Sequence, residues 1–305
     1  IKIHPTGRGV IQLLSKAQYK RSEKGEFHHI AHRTIEETIS LIRSYPWETE
    51  RSLASVELTC PSITIEHPIG TYLKIGPYFS DKYSLYYLTT NKRVYYKTVD
   101  TLEDVDKWVK VYFEEEGMLD GLKKYSFTIN PRSHFETDTF EYLTDTKASI
   151  KFFTFPVTIV LISIVLFGLR FIGQPNASGI LHFTGVILSF FLILFSPLIF
   201  LYFNYLSADR DYYLQISKGH EEFIYGTKDN KKLYKKQDIT SINTYVTPSH
   251  KSPWRECEVF IITFKDGEQL RFTSLLISNA TLRNKFPDLP VNENNKFFPT
   301  VESIE

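Results

Sequence analysis

Two runs, FFTFPVTIVLISIVLFGL (residues 152–169) and GILHFTGVILSFFLILFSPLIFLYFNYL (residues 179–206), contain no Asp, Glu, Lys or Arg. Carrying the first run past Arg170 to Ile172 gives about 20 residues. At about 1.5 Å per residue that matches an apolar bilayer core of about 30 Å. The second run is long enough to cross with tilt or with a kink near Pro197. Core helices of soluble proteins keep a polar stripe and neither run has one, so both read as membrane spans rather than as a buried soluble hairpin. The connector Gly173-Gln174-Pro175-Asn176-Ala177-Ser178 is short and turn-forming, which makes the helices antiparallel neighbours and leaves both flanks on one side. Lys147, Lys151, Arg210 and Lys218 sit at the outer ends, whereas the connector has only Arg170 at its edge. The positive-inside rule then places both flanks in the cytoplasm, with Tyr202, Tyr205, Tyr212 and Tyr213 as an interfacial aromatic belt. Asn176-Ala177-Ser178 is a glycosylation sequon only if this loop is luminal in a eukaryote.

Charge confirms the division of the chain. The 305 residues hold 36 basic and 35 acidic side chains, yet residues 151–208 hold only Lys151 and Arg170 and no acid. The near-neutral balance excludes a globally basic nucleic-acid binder and an acidic disordered chain. Cys60 and Cys257 are too few for a disulfide framework, and no CxxC spacing points to structural zinc. The opening IKIHPTGRGVIQLL has too short an apolar run for a cleavable signal peptide. Three parts are expected: a soluble α+β domain at 1–150, a transmembrane helical hairpin at 151–208 (about 152–172 and 179–206), and a β domain with a C-terminal tail at 209–305.

The last part reads as short strands, YYLQIS (212–217), EEFIYG (221–226), KKLYKK (231–236) and TSINTYVT (240–247), separated by turn residues. Asp266-Gly267 joins two alternating β-rich arms within residues 256–276, a strong hairpin signal, and residues 278–286 form a closing helix. The hairpin of apolar helices, the step KKLYKKQDITSI, the arm FIITFKDGEQLRF and the terminal helix together resemble the bacterial pleckstrin-homology-like membrane proteins of the YcxB-like type, over roughly residues 150–286. That resemblance implies a small, partly open β-barrel capped by a helix and used for binding rather than chemistry. It carries over no ligand site.

In the first part, Thr34-Ile35-Glu36-Glu37 is a capping box, with Ile35, Ile39 and Ile42 at helical spacing until Pro46. Strands are expected at 52–59, 62–67, 71–76, 82–89 and 93–99, followed by a helix capped at Thr101 and ended by Gly117. Leu102, Val105, Trp108, Val109 and Tyr112 form that helix's apolar face. Residues 124–150 add a strand or two. A strand meander with a helix packed across it is a compact α+β core. Its layout, rich in Tyr and Phe hairpins, is loosely similar to toxin-immunity modules.

Candidate sites are few. Lys228, Lys231, Lys232, Lys235 and Lys236 fall within nine positions and could draw anionic headgroups, each contributing on the order of 1 kcal/mol near a bilayer. A solvated hairpin whose charges protect an edge strand is the favoured alternative, since Asp229 and Asp238 interrupt the field. Among the strand tyrosines, Tyr86 and Tyr95 are candidates for a recognition face, because alternate residues of a strand must be core. His28, His32 and Glu36 would stack on one helix face as metal ligands, but the capping box starts the helix after the histidines. His182 lies within a turn of the membrane interface and has no acid to relay a proton. No phosphate loop or nucleophile–base signature is present, and no cofactor and no catalytic residue is assigned. The sequence therefore points to a non-enzymatic protein of the bacterial inner membrane that binds the bilayer and a protein partner and no nucleic acid, most concretely a toxin-capturing immunity protein. The alternatives are a lipid-sensing or envelope scaffold and, least supported, a metal-dependent membrane enzyme.

Overall fold

The computed structural model describes residues 11–51, 57–59, 61–126, 130–144, 146–168, 177–249 and 252–303. The chain divides into two compact units, residues 1–139 with 217–219, and residues 140–216 with 220–305. The sequence reading places its first boundary at residue 150. In the structure the second unit begins ahead of the apolar helices.

The first unit is a seven-stranded antiparallel sheet in the order β2-β1-β3-β4-β5-β6-β7. Its strands are β1 (Leu13–Gln18), β2 (His28–Arg33), β3 (Ser62–Glu66), β4 (Tyr72–Pro77), β5 (Tyr83–Leu88), β6 (Val94–Val99) and β7 (Lys123–Lys124). Strands β3 to β6 occupy the expected stretches. Strand β1 and the histidine strand β2 were not foreseen, and residues 57–59 of the expected strand 52–59 form a bend. The helix α1 (Ile35–Ser44) carries its capping box in full: Glu37 N–H donates to Thr34 Oγ1, and Thr34 N–H donates to Glu37 Oε2. It ends at Tyr45, because the residue before a proline is pushed out of the helical region. Pro46 then leads into the short helix α2 (Trp47–Arg51). The long helix α3 (Leu102–Glu114) is capped by Thr101 as expected and packs with α1 on one face of the sheet, over Ile63, Leu73, Ile75 and Leu85.

The second unit is built from two four-stranded sheets. One is ordered β11-β10-β9-β8 and the other β14-β13-β12-β15. The ranges are β8 (Glu141–Leu143), β9 (Tyr212–Gln215), β10 (Glu222–Thr227), β11 (Lys231–Lys235), β12 (Ile239–Val246), β13 (Val259–Phe264), β14 (Gln269–Thr273) and β15 (Val291–Asn295). The expected barrel is corrected to a sandwich. A 3-10 turn at Lys236–Asp238 carries the chain from one sheet to the other, and β12 pairs instead with β15, in parallel. Phe223 and Tyr225 from one sheet meet Phe260, Ile262 and Phe272 from the other, closed by Leu282 and Phe286 of and beside the helix α6 (Asn279–Lys285). The C-terminal stretch is not a free tail. Beyond β15, Pro299 O accepts from the Tyr205 hydroxyl, and Val301 N–H donates to Asn204.

The apolar helices α4 (Thr146–Gly168) and α5 (Ala177–Asp209) are inserted between β8 and β9, which pair directly through Glu141↔Gln215 and Leu143↔Tyr213. Among the described residues one helix, Thr184–Asp209, is long and apolar enough to cross a membrane; the apolar stretch Phe152–Leu166 is shorter. Most of the connector lies outside the described residues. The base of α5 is a packing element: Phe195, Leu198, Leu201 and Tyr205 lie against Val259, Ile261 and Leu275 on the outer face of the second sheet. At its end, Asp209 Oδ2 accepts from Thr273 N–H at 3.1 Å and from Thr273 Oγ1 at 2.5 Å. The aromatic belt expected at the helix exit is therefore corrected. Tyr205 is fully buried and Tyr213 is a buried strand residue, because the sheet covers this end of the helix. Pro197 removes the donor that would reach Ile193 O, and the Ser196 hydroxyl supplies one at 2.8 Å. Above that point Leu181, Val186, Phe190, Leu192 and Ile193 are all exposed, as are Val157, Leu161, Ile162, Val165 and Leu166 of α4.

Leu201 is wholly buried whereas Leu192 is 63% exposed. Denaturant titration of the detergent-solubilised protein should show Leu201→Ala losing about 2–5 kcal/mol. Leu192→Ala should stay within about 0.5 kcal/mol of the parent.

Candidate functional site

The register of β5 and β6 decides which tyrosines reach a surface. Tyr86 pairs with Tyr96 and Tyr87 with Tyr95, so the period of two sends the pairs to opposite faces. Tyr86 is corrected as a recognition residue. It is buried at 3% exposure against Phe135 and stands edge-on to Tyr125, since the segment after β7 folds across that face. Tyr95 remains half-buried on the other face, where it lines a cleft of about 760 Å³ between α3, the strands β5 and β6, and the loop 118–122.

The cleft is made by the way α3 ends. Gly117 takes φ +77°, and a Cβ there would stand 2.6 Å from the His67 ring, so only glycine fits. Its carbonyl accepts from the Tyr87 hydroxyl at 3.0 Å and from Thr71 Oγ1 at 2.9 Å, which ties the helix end to the sheet. Trp108, Tyr95 and Tyr87 supply aromatic wall, Val111 and Met118 exposed apolar surface, and Glu115 and Asp120 carboxylates. Burial holds the Tyr87 hydroxyl above its ordinary pKa, with Asp120 adding to the effect. The Lys97 ammonium stands 4.7 Å from the Trp108 ring centroid. The sequence places Trp108 on the core face of α3. The acids Glu114, Glu115 and Glu116 fall at the negative end of that helix's dipole, with no base in the last turn.

The opposite face of this sheet buries two lysines, Lys16 and Lys74, at 1% and 0% exposure. Lys16 Nζ donates to Glu66 and Thr137, and Lys74 Nζ donates to Gln18 Oε1 and to His134 O. Both ammonium groups face the Phe27 ring, at 4.5 and 5.6 Å. Desolvation lowers the Lys16 pKa against the pull of Glu66. His134, whose Nδ1 lies 2.7 Å from Thr59 Oγ1, is pulled down to about 4 by burial and by Lys24 and Lys74. This cluster is a polar layer under the roof formed by residues 131–137; both ammonium groups are met, while the buried Thr64 hydroxyl between them has no hydrogen-bond partner among the described residues.

His28, His32 and Glu36 do not come together as one ligand set. His28 and His32 lie on the strand β2, and Glu36 lies on α1 beyond the capping residue. His28 is 3.2 Å from Ser22 Oγ, whereas His32 and Glu36 are exposed. The helix spacing that would have aligned them is absent because this segment pairs with β1. Cys257 is buried and its thiol is pushed up by desolvation, the opposite of a nucleophile's environment. Cys60 lies outside the described residues.

The lysine cluster of the second unit is dispersed rather than focused. Lys231 reaches across Gly226 to sit 3.7 Å from the Tyr213 ring. Lys232 pairs with Glu268, whose other oxygen accepts from the Tyr234 hydroxyl. Lys236 is buried in the 3-10 turn, donating to Lys285 O at 3.1 Å. Only Lys228 and Lys235 are left as exposed lysines without such an engagement. Lys231, Lys232 and Lys236 thus go to three different partners, the Tyr213 ring, Glu268 and Lys285 O.

Comparison with known families places this geometry. A sequence description of the PH domain matches residues 141–285, so the second unit carries a PH-like domain. The matched stretch begins at β8 and includes both apolar helices. No curated protein and no solved structure matches the chain.

Because His134 is held neutral, the fold binds fewer protons than the unfolded chain between pH 6.5 and about 4. Its contribution to stability is complete above pH 6.5 and drains as the pH falls through that window. Thermal unfolding followed from pH 7 to pH 4 should show this acid-side loss, and His134→Gln should flatten it.

Proposed function

We propose that this chain is a non-enzymatic, membrane-anchored binding protein that holds a protein partner at the bilayer surface. The carrying observation is that α4 and α5 leave and return through two directly paired strands of the PH-like domain. A path whose ends meet in one sheet crosses a bilayer an even number of times. Apolar surface this large and exposed on both helices supports a two-helix hairpin in lipid. In that reading α5 crosses with its residues before Phe195, and about 18 residues from Ala177 span about 27 Å. The docked base of α5 then holds the PH-like sandwich rigidly against the membrane. The helices leave the domain beside Lys147, Lys151 and Arg210, which supports a cytoplasmic placement of both flanks.

PH-like architecture is used for binding, and the aromatic cleft of the first unit offers a face for a protein. Immunity against a toxin in a bacterial inner membrane is the concrete version of this reading. Co-expression with the product of the neighbouring gene tests it: this chain should restore growth and co-purify with a toxic neighbour, and a harmless, non-binding neighbour removes the immunity version.

Topology is checked with single cysteines in a Cys60→Ser background, where buried Cys257 stays silent. In intact cells a membrane-impermeant maleimide should spare Glu36→Cys and Lys228→Cys and label Ser178→Cys. Labelling of one flank without the other rejects the hairpin.

A further inference from the structure

The cleft between α3 and the β5–β6 hairpin has a volume within the ordinary range for ligand sites, about 300–1,000 Å³. Trp108 and Tyr95 line it, and its charged lining residues are the exposed carboxylates Glu115 and Asp120 together with Lys107, whose ammonium is already taken by Asp104 at 2.9 Å. Aromatic faces attract a cation through the ring quadrupole, and carboxylates at the same opening add to that attraction. The molecule itself supplies an example, with the Lys97 ammonium already seated over Trp108. The end of α3 leaves a further electrostatic imbalance: Glu114, Glu115 and Glu116 surround its carbonyl terminus, and no basic residue occupies its last turn. A cation arriving from outside offsets both the carboxylates and the dipole. Exposed Val111 and Met118 extend the cleft with apolar surface, which suits the aliphatic stem of a lysine or arginine and the residues beside it.

We infer that this cleft docks a lysine- or arginine-bearing segment of a protein partner, the cation lying against Tyr95 and Trp108 and between Glu115 and Asp120. The inference rests on the protein-capture reading above and specifies the surface that would make the capture. It also accounts for a local choice that works against α3, the acid run at residues 114–116.

The test uses the full chain in neutral detergent, labelled with 5-fluorotryptophan, with the Trp108 fluorine resonance identified through Trp108→Phe. The probe is acetylated hexalysine amide, with hexaglutamate as its opposite. Hexalysine should shift the Trp108 resonance saturably while those of Trp47 and Trp254 stay still, and hexaglutamate should do nothing. The double variant Glu115→Gln, Asp120→Asn should weaken hexalysine about tenfold, and unmoved Trp47 and Trp254 resonances verify that it is folded. No Trp108 shift at millimolar hexalysine, or an equal shift in the double variant, overturns the inference. A partner captured with unchanged affinity by the double variant also overturns it while leaving protein capture intact. A Trp108 shift that the double variant weakens, in a chain that captures no protein, supports the cleft and sinks the capture reading instead.

Discussion

Strand β13 is buried on both faces, and the second unit depends on that. Phe260, Ile262 and Phe264 point into the sandwich, whereas Val259 and Ile261 point outward onto α5. A strand apolar on both sides needs two covers. The inner one is the other sheet, and the outer one is the base of an apolar helix. The same helix thereby acquires two environments along its length, protein below Phe195 and exposed apolar surface above it. Leu201 and Leu192 are the same residue type on the same helix, and the sheet alone separates their roles.

The first unit solves a different packing problem. Its sheet is covered by α1 and α3 on one face with apolar side chains and on the other by a short strap whose Phe135 packs with Tyr72, Tyr86, Leu88 and Val94. A strap cannot supply enough apolar area, so that face is completed with long amphipathic side chains. The stems of Lys16 and Lys74 fill volume while their ammonium groups find oxygens and the Phe27 ring. Burying such charges costs stability unless every one is met, and here both are.

Much of this was legible from local signals. The capping residues Thr34, Thr101 and Ser278 mark their helices by side-chain chemistry that acts within four residues. Asp266-Gly267 marks its hairpin for the same reason. Strand alternation could not tell that Tyr86 is buried while Tyr95 stays half-buried, because the period of two says which residues share a face and not which face is covered. The strand β2, rich in histidine, carries no period that distinguishes it from a loop; its pairing with β1 supplies the order. The five lysines look like a patch in sequence because they are close in number, but the strand and the 3-10 turn give Lys231, Lys232 and Lys236 three different partners.

The amino-acid sequence by itself determined that residues 151–208 are an apolar stretch between two charged, folded regions, since charge and hydropathy act residue by residue. It determined most strands and every long helix, since these follow from periodicity and caps. The tertiary structure alone decided that the helices interrupt the PH-like domain between β8 and β9, that β15 returns to pair with β12, and that the barrel is two sheets. These are contacts between residues far apart in the chain, whose free energy depends on what finally covers each face, and no local pattern carries that information.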